Sequence, residues 1–100
     1  MARTLPAFEK NLSPAASTLE QLGRLVRNRR AESRLRIDDA ASLSGVSSDV
    51  LSRLENGKPV TADKLIKVLE SLGLSILVVP KADIPAIEAA LAQRSPSEGR

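Results

Sequence analysis

Apolar residues recur at helical spacing through most of this chain, and then the spacing changes. The first stripe is Leu19, Leu22, Gly23 and Val26, with Leu25 at its edge, as one buried helix face requires. Ser17-Thr18-Leu19-Glu20 reads as a capping box, with Ser17 accepting from the first turn and Glu20 reaching back. A helix is expected from there to about Ala31, and Leu35 and Ile37 return the chain to the core. Ala40, Ala41 and Ser44 form a second stripe, which Asp38 can cap. Gly45 permits a turn that a side chain would obstruct, and Val46 follows it as an apolar plug. Ser47 or Ser48 can cap a third helix, which points Val50, Leu51 and Leu54 inward and Ser48, Asp49, Ser52 and Arg53 outward. Asn56-Gly57-Lys58-Pro59 ends it, with Gly57 where a left-handed residue is wanted. Thr61 can cap a fourth helix reaching about Leu72 and stopped by Gly73. Its stripe is Leu65, Val68, Leu69 and Leu72, with Lys64 and Lys67 on the outer side.

From Leu74 the pattern is different. Leu74, Ile76, Leu77, Val78 and Val79 cluster without helical spacing between Gly73 and Pro80, as a strand over 74–79 does. A lone strand leaves its backbone groups unpaired and invites another chain. The simplest partner is the same strand of a second subunit across a twofold axis; pairing with the N-terminal arm is the alternative. Asp83 and Pro85 suit the start of a short last helix with Ile84, Ile87, Ala90 and Leu91 on its apolar side. That side can pack on the dimer body or receive a protein partner. Residues 1–16 read as an arm, broken by Pro6 and Pro14 and expected to be loosely ordered. Within it Leu5, Phe8 and Leu12 are a possible docking turn, and Arg3 and Lys10 are within reach of a polyanion. Residues 95–100 are expected to be a disordered polar tail.

Composition narrows the chemistry. One hundred residues suit one domain, and 42% hydrophobic content suffices for a core. That core is expected to be aliphatic, since Phe8 is the only aromatic residue. With no Cys and no His, the side chains of a structural zinc site, a thiol nucleophile or a histidine general base are missing. The formal net charge is only +3, but it is uneven. Arg24, Arg27, Arg29, Arg30, Arg34 and Arg36 crowd one segment opposed there only by Glu32, which suits either a polyanion or a solvated face. No run is long and apolar enough to span a bilayer, and the N-terminus lacks a signal-peptide pattern. A cytoplasmic protein without cofactor is expected.

Helix, glycine turn, helix over residues 36–58 is the helix-turn-helix pattern, which an ordinary helical hairpin can share. The combination of Ala40-Ala41, Gly45-Val46 and Leu54-Glu55-Asn56-Gly57-Lys58 goes further. It resembles the lambda-repressor-like, Xre-type DNA-binding family over roughly residues 22–74. The resemblance implies a mainly α fold with a four-helix helix-turn-helix domain (17–73). Many members have a fifth helix next, so the short β-strand read here from the residues, pairing across a dimer and followed by a short C-terminal helix (74–94), is a departure. The resemblance implies an ion pair between Arg30 and Glu55. It also implies that the third helix enters the major groove with Ser48, Asp49, Ser52 and Arg53 toward the bases. Arg53 suits guanine O6 and N7, and Asp49 suits cytosine N4 or an i, i+4 contact with Arg53. Ser47, Asn56 and Lys58 are the phosphate candidates, with Lys64 behind them. The family often has Gln where this chain has Ile37, which leaves Arg36 as the neighbour that can reach phosphate. The strand and the residues before it resemble HipB-like antitoxins, which dimerise through such a strand.

The expected function is sequence-specific transcriptional regulation, as a repressor, by a homodimer on an inverted-repeat operator in double-stranded DNA, with no catalytic step. A HipB-like antitoxin that also neutralises a toxin kinase is the alternative, and a protein-interaction bundle that does not bind DNA is the third.

Overall fold

The computed structural model describes residues 5–94. Arg3 and the tail expected over 95–100 lie outside the described residues. Helix α1 (Leu19–Glu32) begins one residue later than its capping box suggests. Thr18 is the N-cap and accepts from the Gln21 N–H at 3.1 Å. The Gln21 side chain reaches back to the Ser17 N–H at 2.6 Å. The reciprocal logic of the box holds, but Thr18 and Gln21 carry it in place of Ser17 and Glu20.

Helices α2 (Ile37–Ser44), α3 (Ser48–Glu55) and α4 (Ala62–Ser71) follow, and a single 3-10 turn (Lys81–Asp83) leads into α5 (Ile84–Ala92). All four helices before that turn end alike. A residue with positive φ follows each one: Arg34 at 58°, Gly45 at 73°, Gly57 at 75° and Gly73 at 73°. The next N–H then bonds back five residues, as in Leu35 to Arg30 at 3.1 Å and Leu74 to Leu69 at 2.8 Å. After α1, α2 and α4 the residue making that bond is apolar and packs against the core: Leu35, Val46 and Leu74. After α3 it is the exposed Lys58.

The core is Val26, Ala40, Ala41, Leu51, Leu54, Val68, Leu69 and Leu72. Each fully buried aliphatic side chain, Leu51 and Leu54 among them, contributes roughly 1.5–3 kcal/mol. Helix α1 packs on α3, and α2 packs on both α3 and α4. Ala40 and Ala41 are the small residues of that junction. Ser44 and Ser71 stitch α2 to α4 through a hydroxyl contact at 2.5 Å.

Beyond Leu74 the single chain does not form the expected strand by itself. Among the described residues there is no strand, and 74–80 make no ladder with the arm or with any other segment. A ladder needs a second row of backbone groups, and the described residues supply none there. The same segment is strongly exposed: Ile76 by 46%, Leu77 by 72% and Val78 by 94%. Helix α5 buries none of its residues.

The described part of the arm, expected to be loose, is fastened to α1. The Asn28 amide pairs with both backbone groups of Glu9, accepting its N–H at 2.6 Å and donating to its carbonyl at 2.9 Å. The Glu9 carboxylate accepts from Arg24 Nη2 at 2.6 Å. Ser13 donates to Glu88 at 2.5 Å, which ties the arm to α5 as well.

Candidate nucleic-acid interface

The interface candidate is the outer face of α3, and its geometry starts at the turn before it. Gly45 closes α2 with φ 73°, and a β-carbon there would meet nothing within 4 Å. Glycine serves the backbone angle at this point, and not the space. Ser47 is the N-cap of α3, its oxygen accepting from the Val50 N–H at 3.1 Å. That contact uses a lone pair and leaves the hydroxyl proton able to donate outward. Ser48 donates to Asp38 Oδ1 at 2.9 Å, joining the start of α3 to the first turn of α2. Asp38 was expected to cap α2; the N-cap is Arg36, with no side-chain bond, because the helix starts at Ile37.

Leu51 and Leu54 point inward and are 0% and 1% exposed. Asp49 and Arg53 are exposed, and Ser48 and Ser52 are half-buried. At about 100° per residue these four occupy one arc opposite the buried leucines.

The far end of α3 is braced by α1. Arg30 donates from Nε to Glu55 Oε2 at 2.6 Å and from Nη2 to Oε1 at 2.8 Å. Its Nη1 donates to the Leu35 carbonyl at 2.9 Å. The two side chains are 8% and 5% exposed, so this is a buried, two-pronged pair. A carboxylate at a helix C-terminus opposes the helix dipole, and the guanidinium offsets that. Beside the pair, α1 touches α3 backbone to backbone: a β-carbon on Gly23 would collide with the Leu54 carbonyl oxygen and lie 2.9 Å from the Glu55 carbonyl carbon. Gly57, in the turn after α3, sits on the first turn of α1, where a β-carbon would lie 3.0 Å from Glu20 Cα. Helix α3 is thus held at its start by α2 and at its end by α1.

The turn after α3 holds the remaining candidates. Asn56 folds back and donates from Nδ2 to the Ser52 carbonyl at 2.8 Å. Arg53 donates from Nη2 to the Pro59 carbonyl at 3.0 Å. Among the described residues no hydrogen bond or ion pair joins Asp49 to Arg53, and Lys58 and Lys64 are exposed. At the start of α4 the Asp63 carboxyl lies below its ordinary pKa, chiefly through a hydrogen bond with the Thr61 side chain.

The arginine cluster divides. Arg30 is buried against Glu55, and Arg24 is held by Glu9. Arg29 donates to the Leu72 carbonyl at 2.8 Å and to Glu32 at 2.9 Å. Arg27, Arg34 and Arg36 make no such contact among the described residues, so half of the cluster is engaged inside the protein. One carboxylate that sequence reasoning left out of the site touches it: Asp38, as the Ser48 tether. No periodic signal links Asp38 to Ser48.

Comparison with known proteins bears on this face. A family model described as a helix-turn-helix domain matches residues 21–79. An uncharacterized HTH-type transcriptional regulator, y4mF of Sinorhizobium fredii, is 42% identical over 60 residues, which make up 59% of this chain and 79% of that protein. The crystal structure of the clp gene regulator ClgR from C. glutamicum matches with a TM-score of 0.55 and 34% identity, over 80% of this chain and 97% of that one.

Proposed function

We propose, on the premise that this chain belongs to the helix-turn-helix domain family, that it is a DNA-binding transcriptional regulator. It acts in the cytoplasm as a homodimeric repressor on an inverted repeat, without a catalytic step. The observation carrying this reading is α3 itself: a short helix fixed at both ends, with a polar outer face on which Asp49 and Arg53 are exposed and Ser48 and Ser52 half-buried. Such a helix enters the major groove, where base edges can be told apart. Arg36, the Ser47 hydroxyl, Asn56 and Lys58 flank it and contact phosphates, which orient the protein without reading sequence. The Schellman turn after α3 supports this role for Lys58. The position that carries an apolar plug after the other helices carries an exposed cation here.

The dimer rests on residues 74–79. Ile76, Leu77 and Val78 are uncovered in one chain, and 75–79 make no backbone hydrogen bond among the described residues, so a second copy completes both. Two α3 helices then face successive major grooves about one helical turn apart. A second reading, an antitoxin that also neutralises a toxin kinase, draws support from α5, whose apolar side is at most half-buried.

Two measurements test this. The full chain should shift a duplex selected from genomic fragments at moderate salt, with excess unrelated duplex present. Light scattering should give twice the chain mass for the wild type and the chain mass for Leu77→Arg with Val78→Arg. A monomeric wild type would remove the dimer, and absence of any shifted duplex would remove the DNA-binding role.

A further inference from the structure

The hydrogen bonds already made by the outer face of α3 limit what it can read. Of the side chains there, Asn56 has the amide chemistry that recognises adenine through N6 and N7 together. It is exposed but folds back along α3, its Nδ2 bonded to the Ser52 carbonyl at 2.8 Å and 3.5 Å from Ser52 Oγ. Ser48 has given its only proton to Asp38 at 2.9 Å. On α3 no large apolar side chain stands exposed to meet a thymine methyl, since Leu51 and Leu54 are buried and Val50 half-buried. Two strong groups remain. Asp49 is exposed and can only accept. Arg53 uses one N–H on Pro59 and keeps the rest of its five donors.

These two groups match one kind of base pair. A carboxylate placed on the adenine amino group also faces the N7 lone pair, whereas on cytosine N4 it faces only a C–H beside the donor. A guanidinium meets two adjacent acceptors, O6 and N7, on guanine alone. Asp49 and Arg53 are four residues apart, about 6 Å along the helix axis, and base pairs rise about 3.4 Å. Their reach therefore covers one base pair or two neighbours.

We propose that each half-site is read at one or two consecutive G·C pairs, with Asp49 on cytosine N4 and Arg53 on guanine O6 and N7. This rests on the reading of the chain as a DNA-binding regulator.

The test is selection by the full chain from a random duplex pool, followed by titration of a selected duplex. Expected is a G·C pair at the same place in both half-sites. Replacing its guanine by 7-deazaguanine, which removes N7, should weaken wild-type binding about 5- to 150-fold. Arg53→Ala should bind the two duplexes alike. Replacing cytosine by N4-methylcytosine, which puts a methyl group where the groove-facing N–H was, should weaken the wild type and leave Asp49→Ala indifferent. Half-sites sharing only A·T pairs, or equal penalties in wild type and variants, would overturn the proposal while leaving DNA binding intact. Failure to enrich any duplex would remove the underlying reading and this one with it.

Discussion

Removing Glu55 should be the most damaging single change on the surface between α1 and α3. In Glu55→Ala the Arg30 guanidinium stays where it is, 8% exposed, with two of its three bonds gone. Among the described residues no other carboxylate bonds to Arg30, and the Leu35 carbonyl alone remains. Breaking a buried pair by removing one partner costs about 3–5 kcal/mol. Two small gains offset part of this. Alanine is a slightly better helix former than glutamate, by a few tenths of a kcal/mol. Losing a negative charge at the C-terminus of α3 relieves the dipole by about 0.3–1 kcal/mol. The net loss is then about 3 kcal/mol, a large share of the roughly 5–15 kcal/mol a domain of this size holds. Urea unfolding followed by far-UV circular dichroism measures it directly, and the thermal midpoint should fall by roughly 12–25 °C. Glu70→Ala is the control. Glu70 is exposed, its side chain has no partner among the described residues, and its loss should stay within about 0.5 kcal/mol. Replacing both Arg30 and Glu55 by methionine should recover most of the loss, because no charge is then left stranded. If Glu55→Ala and Glu70→Ala unfolded within about 1 kcal/mol of each other, the pair would not be what braces α3.

Gly23→Ala gains about 1 kcal/mol in helix propensity but drives a methyl group into the Leu54 carbonyl, so the protein should lose roughly 1–3 kcal/mol net or more; a chemical denaturation midpoint at or above wild type would contradict the packing. Arg34 occupies a left-handed angle of 58°, where glycine is unstrained, and Arg34→Gly should raise stability by roughly 0.5–1 kcal/mol in the same assay. Lys58→Ala should weaken binding to all duplexes about alike and lower the slope of log affinity against log salt by about 1. A change in the ranking of sequences by that variant would mean Lys58 touches bases. Thr61→Ala should let the Asp63 pKa rise, as followed by NMR titration. That carboxyl lies low in the folded protein, so its stabilising contribution is present above the unfolded pKa and fades as pH falls through the folded one.

Local pattern was sufficient for the helices, because a buried face leaves a 3.6-residue period and helix ends leave glycines. Leu51 and Leu54, or Val68, Leu69 and Leu72, could be placed from spacing alone. Starts were harder. Ser17 and Thr18 are both good caps, and the choice of Thr18 depends on which N–H each can reach, a matter of less than one turn. Pairing across the chain was legible in one case only through family likeness: nothing periodic connects Arg30 with a glutamate 25 residues on.

The rest belongs to three dimensions. A run of arginines looks alike whether it is solvated, bound to DNA or neutralised from within. Only the fold brings Glu9 to Arg24, Glu55 to Arg30 and the Leu72 carbonyl to Arg29, because charge interactions depend on separation in space and not along the chain. The segment 74–79 makes the complementary point. Its side chains announce a strand, but a strand is defined by its neighbour, and no neighbour within the described residues pairs with it.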